Sequence, residues 1–112
     1  MIIYYLNSRM EKIFNDKKKI QKEFGDSTKV IMRRLSDLDA ANCVEDMKNC
    51  PGRIEELSAD LKEHFSLRLD GNYRLIFKPA NDPLPRKEDG GLDWQKITEI
   101  TIIKGKKDYH GN

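Results

Sequence analysis

The sequence is poor in several features that would assign it to a class at once. No apolar run approaches the roughly 20 residues that a membrane-spanning helix needs. The N-terminal stretch MIIYYLN has no basic segment before it and passes straight into charged sequence, which is not the layout of a secretory signal. A cytoplasmic protein with no membrane partner is expected. Only two cysteines, Cys43 and Cys50, and two histidines, His64 and His110, occur. Neither a disulfide framework nor a four-ligand zinc site can be assembled at this spacing, so reduced thiols and no metal or cofactor are expected. Neither sign of charge dominates, with 21 Lys and Arg against 19 Asp and Glu and a net charge of +2. Binding to phosphates then depends on where the cations cluster and not on their total. There are no internal repeats.

What is present suits one domain over residues 1–112, large enough to bury about two-thirds of its unfolded surface without cross-links. Charged residues make up 36 % and mean hydropathy is −0.76. The 38 % of hydrophobic residues are nevertheless grouped into periodic runs, which indicates a folded chain. The clearest run is Phe65–Pro79, FSLRLDGNYRLIFKP, where two apolar-rich segments flank Asp70-Gly71-Asn72, residue types that accept the positive φ of a tight reversal. A two-residue loop would set Leu69 opposite Arg74 and mix apolar and charged side chains on both faces. A three-residue loop pairs Leu69 with Tyr73, Leu67 with Leu75 and Phe65 with Phe77, and makes one face wholly apolar. The second register is expected, with Ser66, Arg68, Arg74 and Ile76 on the other face.

Before the hairpin, Ile2–Leu6 reads as a strand buried on both faces, because it lacks polar alternation. Met10, Ile13, Phe14, Ile20 and Phe24 recur at helical spacing from about Ser8 to Phe24, with Lys17, Lys18, Lys19 and Lys22 around the rest of the circumference. Gly25 fits a C′ position and Asp26 or Ser27 an N-cap for a second helix from about Thr28 to Ala41. Val44 and Met47 fit a short helical turn ended near Pro51-Gly52, and Ile54–Leu57 begins a strand or an extended connection. Ala80–Asp93, with Pro83, Pro85, Gly90, Gly91 and few hydrophobic residues, is expected to be a mobile excursion. Trp94–Lys104 supplies the last long strand, with Ile97 and Ile103 on one face and Ile100 and Ile102 on the other, and Gly105 then allows a sharp change of direction. The order β-α-α-β-β-β predicts an α+β fold in which an N-terminal strand and a two-helix hairpin accompany a mostly antiparallel sheet, the helices covering one face.

The other face is where chemistry can sit. If the backbone stays extended from Lys62 to Arg68, alternation puts Lys62, His64, Ser66 and Arg68 on the face of Arg74. Fixed cations of this kind suit a phosphodiester, since a guanidinium donates two hydrogen bonds to one phosphate. A solvated face with ordinary surface lysines and arginines satisfies the same pattern. Asp108 and His110 offer proton transfer, and Tyr109 can stack on a base or hydrogen-bond a phosphate; a frayed terminus with Tyr109 covering a core edge is the alternative. Lys17–Lys19 and Arg33-Arg34 can meet an acidic protein segment or RNA, or simply face solvent.

The paired segments LRLDGNYRLIF and ITEITIIKGKKDYH resemble the second half of RelE/ParE-superfamily toxins, in the HigB-like "plasmid maintenance killer" branch. The N-terminal part matches by order and length. The resemblance implies a RelE/ParE-like fold and a toxin of a type II toxin–antitoxin module, a metal-independent, ribosome-dependent endoribonuclease (mRNA interferase) that cleaves translated mRNA by 2′-hydroxyl attack. It implies Arg74, Asp108, Tyr109 and His110 as catalytic residues, with Lys62 as the counterpart of the family lysine, and His64 as a competing candidate there. His64, Arg68, Lys106 and Lys107 would contact RNA. Glycines usual around that lysine are replaced here by Ala59 and Glu63, and Ala80–Asp93 is longer than in shorter relatives. The implied partners are a helix-turn-helix antitoxin, the ribosome and mRNA, with DNA reached only through the antitoxin. The alternatives are a non-catalytic ParE-like gyrase inhibitor, or a degenerate toxin that acts only by binding antitoxin in autorepression.

Overall fold

Three helices lie on one face of a five-stranded sheet in a computed structural model of the chain, which describes residues 1–107. The elements are β1 (Ile2–Tyr5), α1 (Ser8–Phe14), α2 (Lys17–Phe24), α3 (Thr28–Ala40), β2 (Glu55–Glu56), β3 (Phe65–Arg68), β4 (Tyr73–Pro79) and β5 (Glu99–Lys107). The strand order is β1-β5-β4-β3-β2, parallel only between β1 and β5. This is the expected α+β arrangement. Phe14, Ile20, Ile31 and Leu38 from the helices meet Leu67, Leu75, Phe77, Ile100 and Ile102 from the sheet in one buried cluster.

The predicted single helix over Ser8–Phe24 is two helices. Asn7 caps α1 by accepting from the Met10 amide at 2.9 Å, and Asp16 caps α2 by accepting from the Lys18 amide at 2.9 Å. A side chain at Asp16 that takes a backbone donor ends the first helix and starts a second. Each piece can then aim its own apolar residues at the sheet. The second predicted helix is α3, preceded by Gly25 at φ 54°, the left-handed position that ends α2. Ser27 precedes α3 but makes no cap; its hydroxyl instead donates to Asp70 in the hairpin loop and ties the helices to the hairpin tip.

β1 is not buried on both faces. It is an edge strand with helices on one side only, so Ile3 and Tyr5 pack on the core while Ile2 and Tyr4 are exposed. Val44 and Met47 do lie in a short 3-10 turn, Val44–Asn49, and both are fully buried. The last strand starts later than predicted, because Trp94–Lys96 forms a 3-10 turn under an Asp93 cap, and it runs on to Lys107. Gly105 therefore makes no sharp turn. It lies within β5, and a Cβ there would sit 3.3 Å from the Phe24 ring, so the missing side chain lets that ring lie against the sheet.

Ala80–Asp93 is ordered and not a mobile excursion. Arg86 bridges Leu92, the Lys87 amide donates to Gly91 and the Asp93 amide to Pro85, closing a small hairpin, and Leu92 is buried. Trp94 at its end packs edge-on against Phe65 at 5.0 Å and donates to Glu56 at 2.8 Å. The lack of apolar residues was misleading because backbone bonding and one buried leucine hold the segment.

Candidate active site

The hairpin has the three-residue-loop register. Phe65 pairs with Phe77, Leu67 with Leu75 and Arg68 with Arg74, and the Leu69 amide donates to Tyr73 at 3.0 Å. Parity then sends Phe65, Leu67, Leu75 and Phe77 into the core, and Ser66, Arg68 and Arg74 to the face away from the helices. Ser66 is fully buried there, and its hydroxyl accepts from Arg74 Nη1 at 3.2 Å. The guanidinium is thereby held over the sheet. Ser66 shared the predicted face but carried no assigned role; only its distance from Arg74 reveals one.

β5 completes the arrangement through an irregularity. Phe77 pairs with Ile102 but Ile76 pairs with Lys104, so Ile103 is the extra residue of a bulge. Ile100 and Ile102 lie in the core and Ile103 does not, as expected, but Ile97, expected on the face of Ile103, is buried in that same core. With the shift, Arg74 is opposite Lys106 and Tyr73 opposite Lys107. Arg68, Arg74 and Lys106 form one cross-strand row over β3, β4 and β5. Arg68 and Arg74 thus stand directly opposite each other on this face.

Lys62 is not on an extended strand, which corrects the predicted alternation. The backbone enters the ladder at His64, whose carbonyl accepts from the Leu57 amide at 2.8 Å. Ahead of it, Lys62 has φ −49° and ψ 135°, Glu63 has φ 65°, and the His64 amide donates to Leu61 at 2.9 Å. These are the marks of a type II turn, with Lys62 and Glu63 at its centre. Lys62 is exposed at the tip. His64 Nδ1 lies 3.1 Å from the Lys62 carbonyl. A carbonyl only accepts, so in this contact Nδ1 is the donor. Ala59 and Glu63 both adopt positive φ, 56° and 65°.

Glu63 forms a two-pronged ion pair with Arg86, at 2.6 and 3.1 Å. The hydrogen bonds from Arg86 hold the Glu63 carboxyl below its ordinary range, with a smaller contribution from the charges of Arg86 and Lys62. Arg34, which the sequence left open to a partner or to solvent, donates from Nε to the Arg68 carbonyl at 3.0 Å and packs against Gly52, where a Cβ would lie 2.9 Å from it. Lys17–Lys19 and Arg33 are exposed. Among the described residues, no group of His, Cys, Asp or Glu is arranged to hold a metal ion, and both cysteines are free. Asp108, Tyr109 and His110 lie outside the described residues. No helix among the described residues is long and apolar enough to cross a membrane.

The comparisons with known proteins agree on this framework. Residues 4–85 match the family model of the RelE-like toxin of type II toxin–antitoxin system HigB, which takes in the N-terminal β-α-α part as well as the hairpin. Toxin HigB-1 of Vibrio cholerae serotype O1 is 32 % identical over 79 residues, covering 70 % of this chain and 83 % of that protein. In fold, the chain is similar to the YoeB–YefM complex from Staphylococcus aureus, with a TM-score of 0.57 at 19 % identity, and to the YoeB dimer from the same organism, with 0.55 at 21 %. Each similarity covers 97 % of this chain and 98 % of the other. The chain belongs to the HigB-like family of RelE-like toxins of type II toxin–antitoxin systems, which are ribosome-dependent mRNA endonucleases.

Proposed function

We propose that this toxin cleaves translated mRNA without a metal ion, by attack of a ribose 2′-oxygen on the adjacent phosphorus. The observation that carries this reading is the row of Arg68, Arg74 and Lys106, with the Arg74 guanidinium held on Ser66. A guanidinium fixed in this way can donate two hydrogen bonds to one phosphate, so a backbone phosphate suits it. In the reaction the 2′-hydroxyl loses its proton, a P–O2′ bond forms, the P–O5′ bond breaks and the leaving 5′-oxygen gains a proton. The products are a 2′,3′-cyclic phosphate and a 5′-hydroxyl.

Arg74 stabilises the charge that grows on the phosphate oxygens, and Lys62 adds positive charge from the turn. Asp108, His110 and the Nε2 of His64 are the groups that move protons, and Tyr109 orients the base or the 2′-hydroxyl. Arg68, Lys106 and Lys107 bind neighbouring phosphates. The ribosome holds the mRNA in reacting geometry, so the site need not carry the full machinery of a free ribonuclease. The antitoxin partner is a helix-turn-helix protein in the cytoplasm, through which the complex reaches DNA.

Inducing the protein and mapping mRNA 5′ ends on translated and untranslated transcripts tests the reading. Codon-associated cuts on translated transcripts alone are expected, and Arg74→Ala and Tyr109→Ala should abolish them and relieve growth arrest in folded protein. DNA damage without cuts would point to a gyrase inhibitor, and neither effect to a chain that only binds antitoxin.

A further inference from the structure

The type II turn before β3 has a chemical requirement that its sequence does not meet. Its second central residue needs positive φ, a position suited to glycine or asparagine, and Glu63 occupies it at φ 65°. Something outside the turn must hold it. The carboxylate is gripped at both oxygens by Arg86, Nη1 to Oε2 at 2.6 Å and Nη2 to Oε1 at 3.1 Å. Arg86 Nη1 also donates to the Gly90 carbonyl at 2.9 Å, and the insertion's backbone bridge at Arg86 and Leu92 fixes where the guanidinium starts. At the far end, Trp94 donates to Glu56 on β2. The insertion therefore grips the β2–β3 hairpin at the turn and at the neighbouring strand.

We propose that Arg86 is a positioning residue: through Glu63 it holds the left-handed turn that presents Lys62 and His64 beside the row of Arg68 and Arg74. Planar guanidinium and carboxylate meeting in parallel fix an orientation as well as a distance, which a single lysine ammonium cannot do. The effect on mRNA cleavage rests on the function proposed above; the effect on the turn does not.

The test uses Arg86→Ala, Arg86→Lys, Glu63→Gly and the double variant Arg86→Ala/Glu63→Gly of the full chain. Two readouts are followed: codon-associated cleavage, and hydrogen exchange of the His64 amide, which closes the turn on Leu61. Arg86→Ala should raise exchange at His64 and lower cleavage by roughly tenfold, since misplaced catalytic groups lose rate steeply. Arg86→Lys should fall between. Glycine needs no outside support at positive φ, so Glu63→Gly should keep both properties. The double variant should regain them although Arg86 is gone. Unchanged His64 exchange in Arg86→Ala, or a double variant as impaired as Arg86→Ala, overturns the proposal. If the unaltered protein cleaves no mRNA, the functional reading fails, while the exchange measurements still decide whether Arg86 holds the turn.

Discussion

Removing the charge at Arg68 should make the protein more stable and a poorer ligand for RNA. Arg68 is exposed and directly opposite Arg74. Two unit charges about 6 Å apart repel by about 0.7 kcal/mol in bulk water and about 3 kcal/mol at an effective dielectric constant near 20. Solvent exposure and physiological salt favour the lower figure, in line with the few tenths to about 1 kcal/mol seen for like-charge cross-strand pairs. Arg68→Gln keeps much of the stem and a polar end, so a gain of about 0.5 kcal/mol is expected, or about 2–4 °C in the unfolding midpoint. Urea melts at low and high salt should show the gain shrinking as salt rises. Titration of a single-stranded RNA should show weaker binding and a log K against log salt slope shallower by about 0.7, the value for one lost phosphate contact. A variant destabilised by more than about 1 kcal/mol, with the salt slope unchanged, would refute the idea that this row trades stability for anion binding.

Ala59 is held at φ 56°, which costs an L-residue about 1–2 kcal/mol. Glycine relieves that strain but loosens the unfolded chain by about 0.4–1 kcal/mol, so Ala59→Gly should stabilise by about 0.5–1 kcal/mol in denaturant melts. Leu67→Ala, at a fully buried position under the helices, should cost about 2–5 kcal/mol in the same measurement. The Glu63 carboxyl, lowered from about 4.5 chiefly by the Arg86 hydrogen bonds, binds its proton less readily in the folded than in the unfolded chain. Its contribution is thus complete above pH 4.5 and lost as pH falls through the depressed folded value. Protection of the His64 amide, taken relative to its intrinsic exchange at each pH, should fall only in that acidic range, and Glu63→Gln should remove that loss.

Elements set by local rules were legible in the sequence. The hairpin register followed from keeping Leu67, Leu69, Tyr73 and Leu75 on one face, and the same parity located Arg68 and Arg74 opposite the helices. α3 and its Gly25 boundary followed from apolar spacing and a residue free to take positive φ. The break at Asp16 was not recognised, because an acidic residue on an exposed helical face and a cap look alike until the backbone amide is seen to bond. The insertion looked mobile since its few hydrophobic residues conceal a backbone bridge and a distant ion pair. For Asp108, Tyr109 and His110 the sequence resemblance remains the basis of the proposal.

The sequence by itself determined the fold class, the face on which Arg74 emerges and the family, because side-chain alternation and turn chemistry act between near neighbours. Tertiary structure decided the rest of the site. The bulge at Ile103 places Lys106, and not Gly105, opposite Arg74. Arg86 reaches Glu63 from 23 residues away. Such contacts depend on register and chain path between segments that no local pattern couples, so folding alone brings them together.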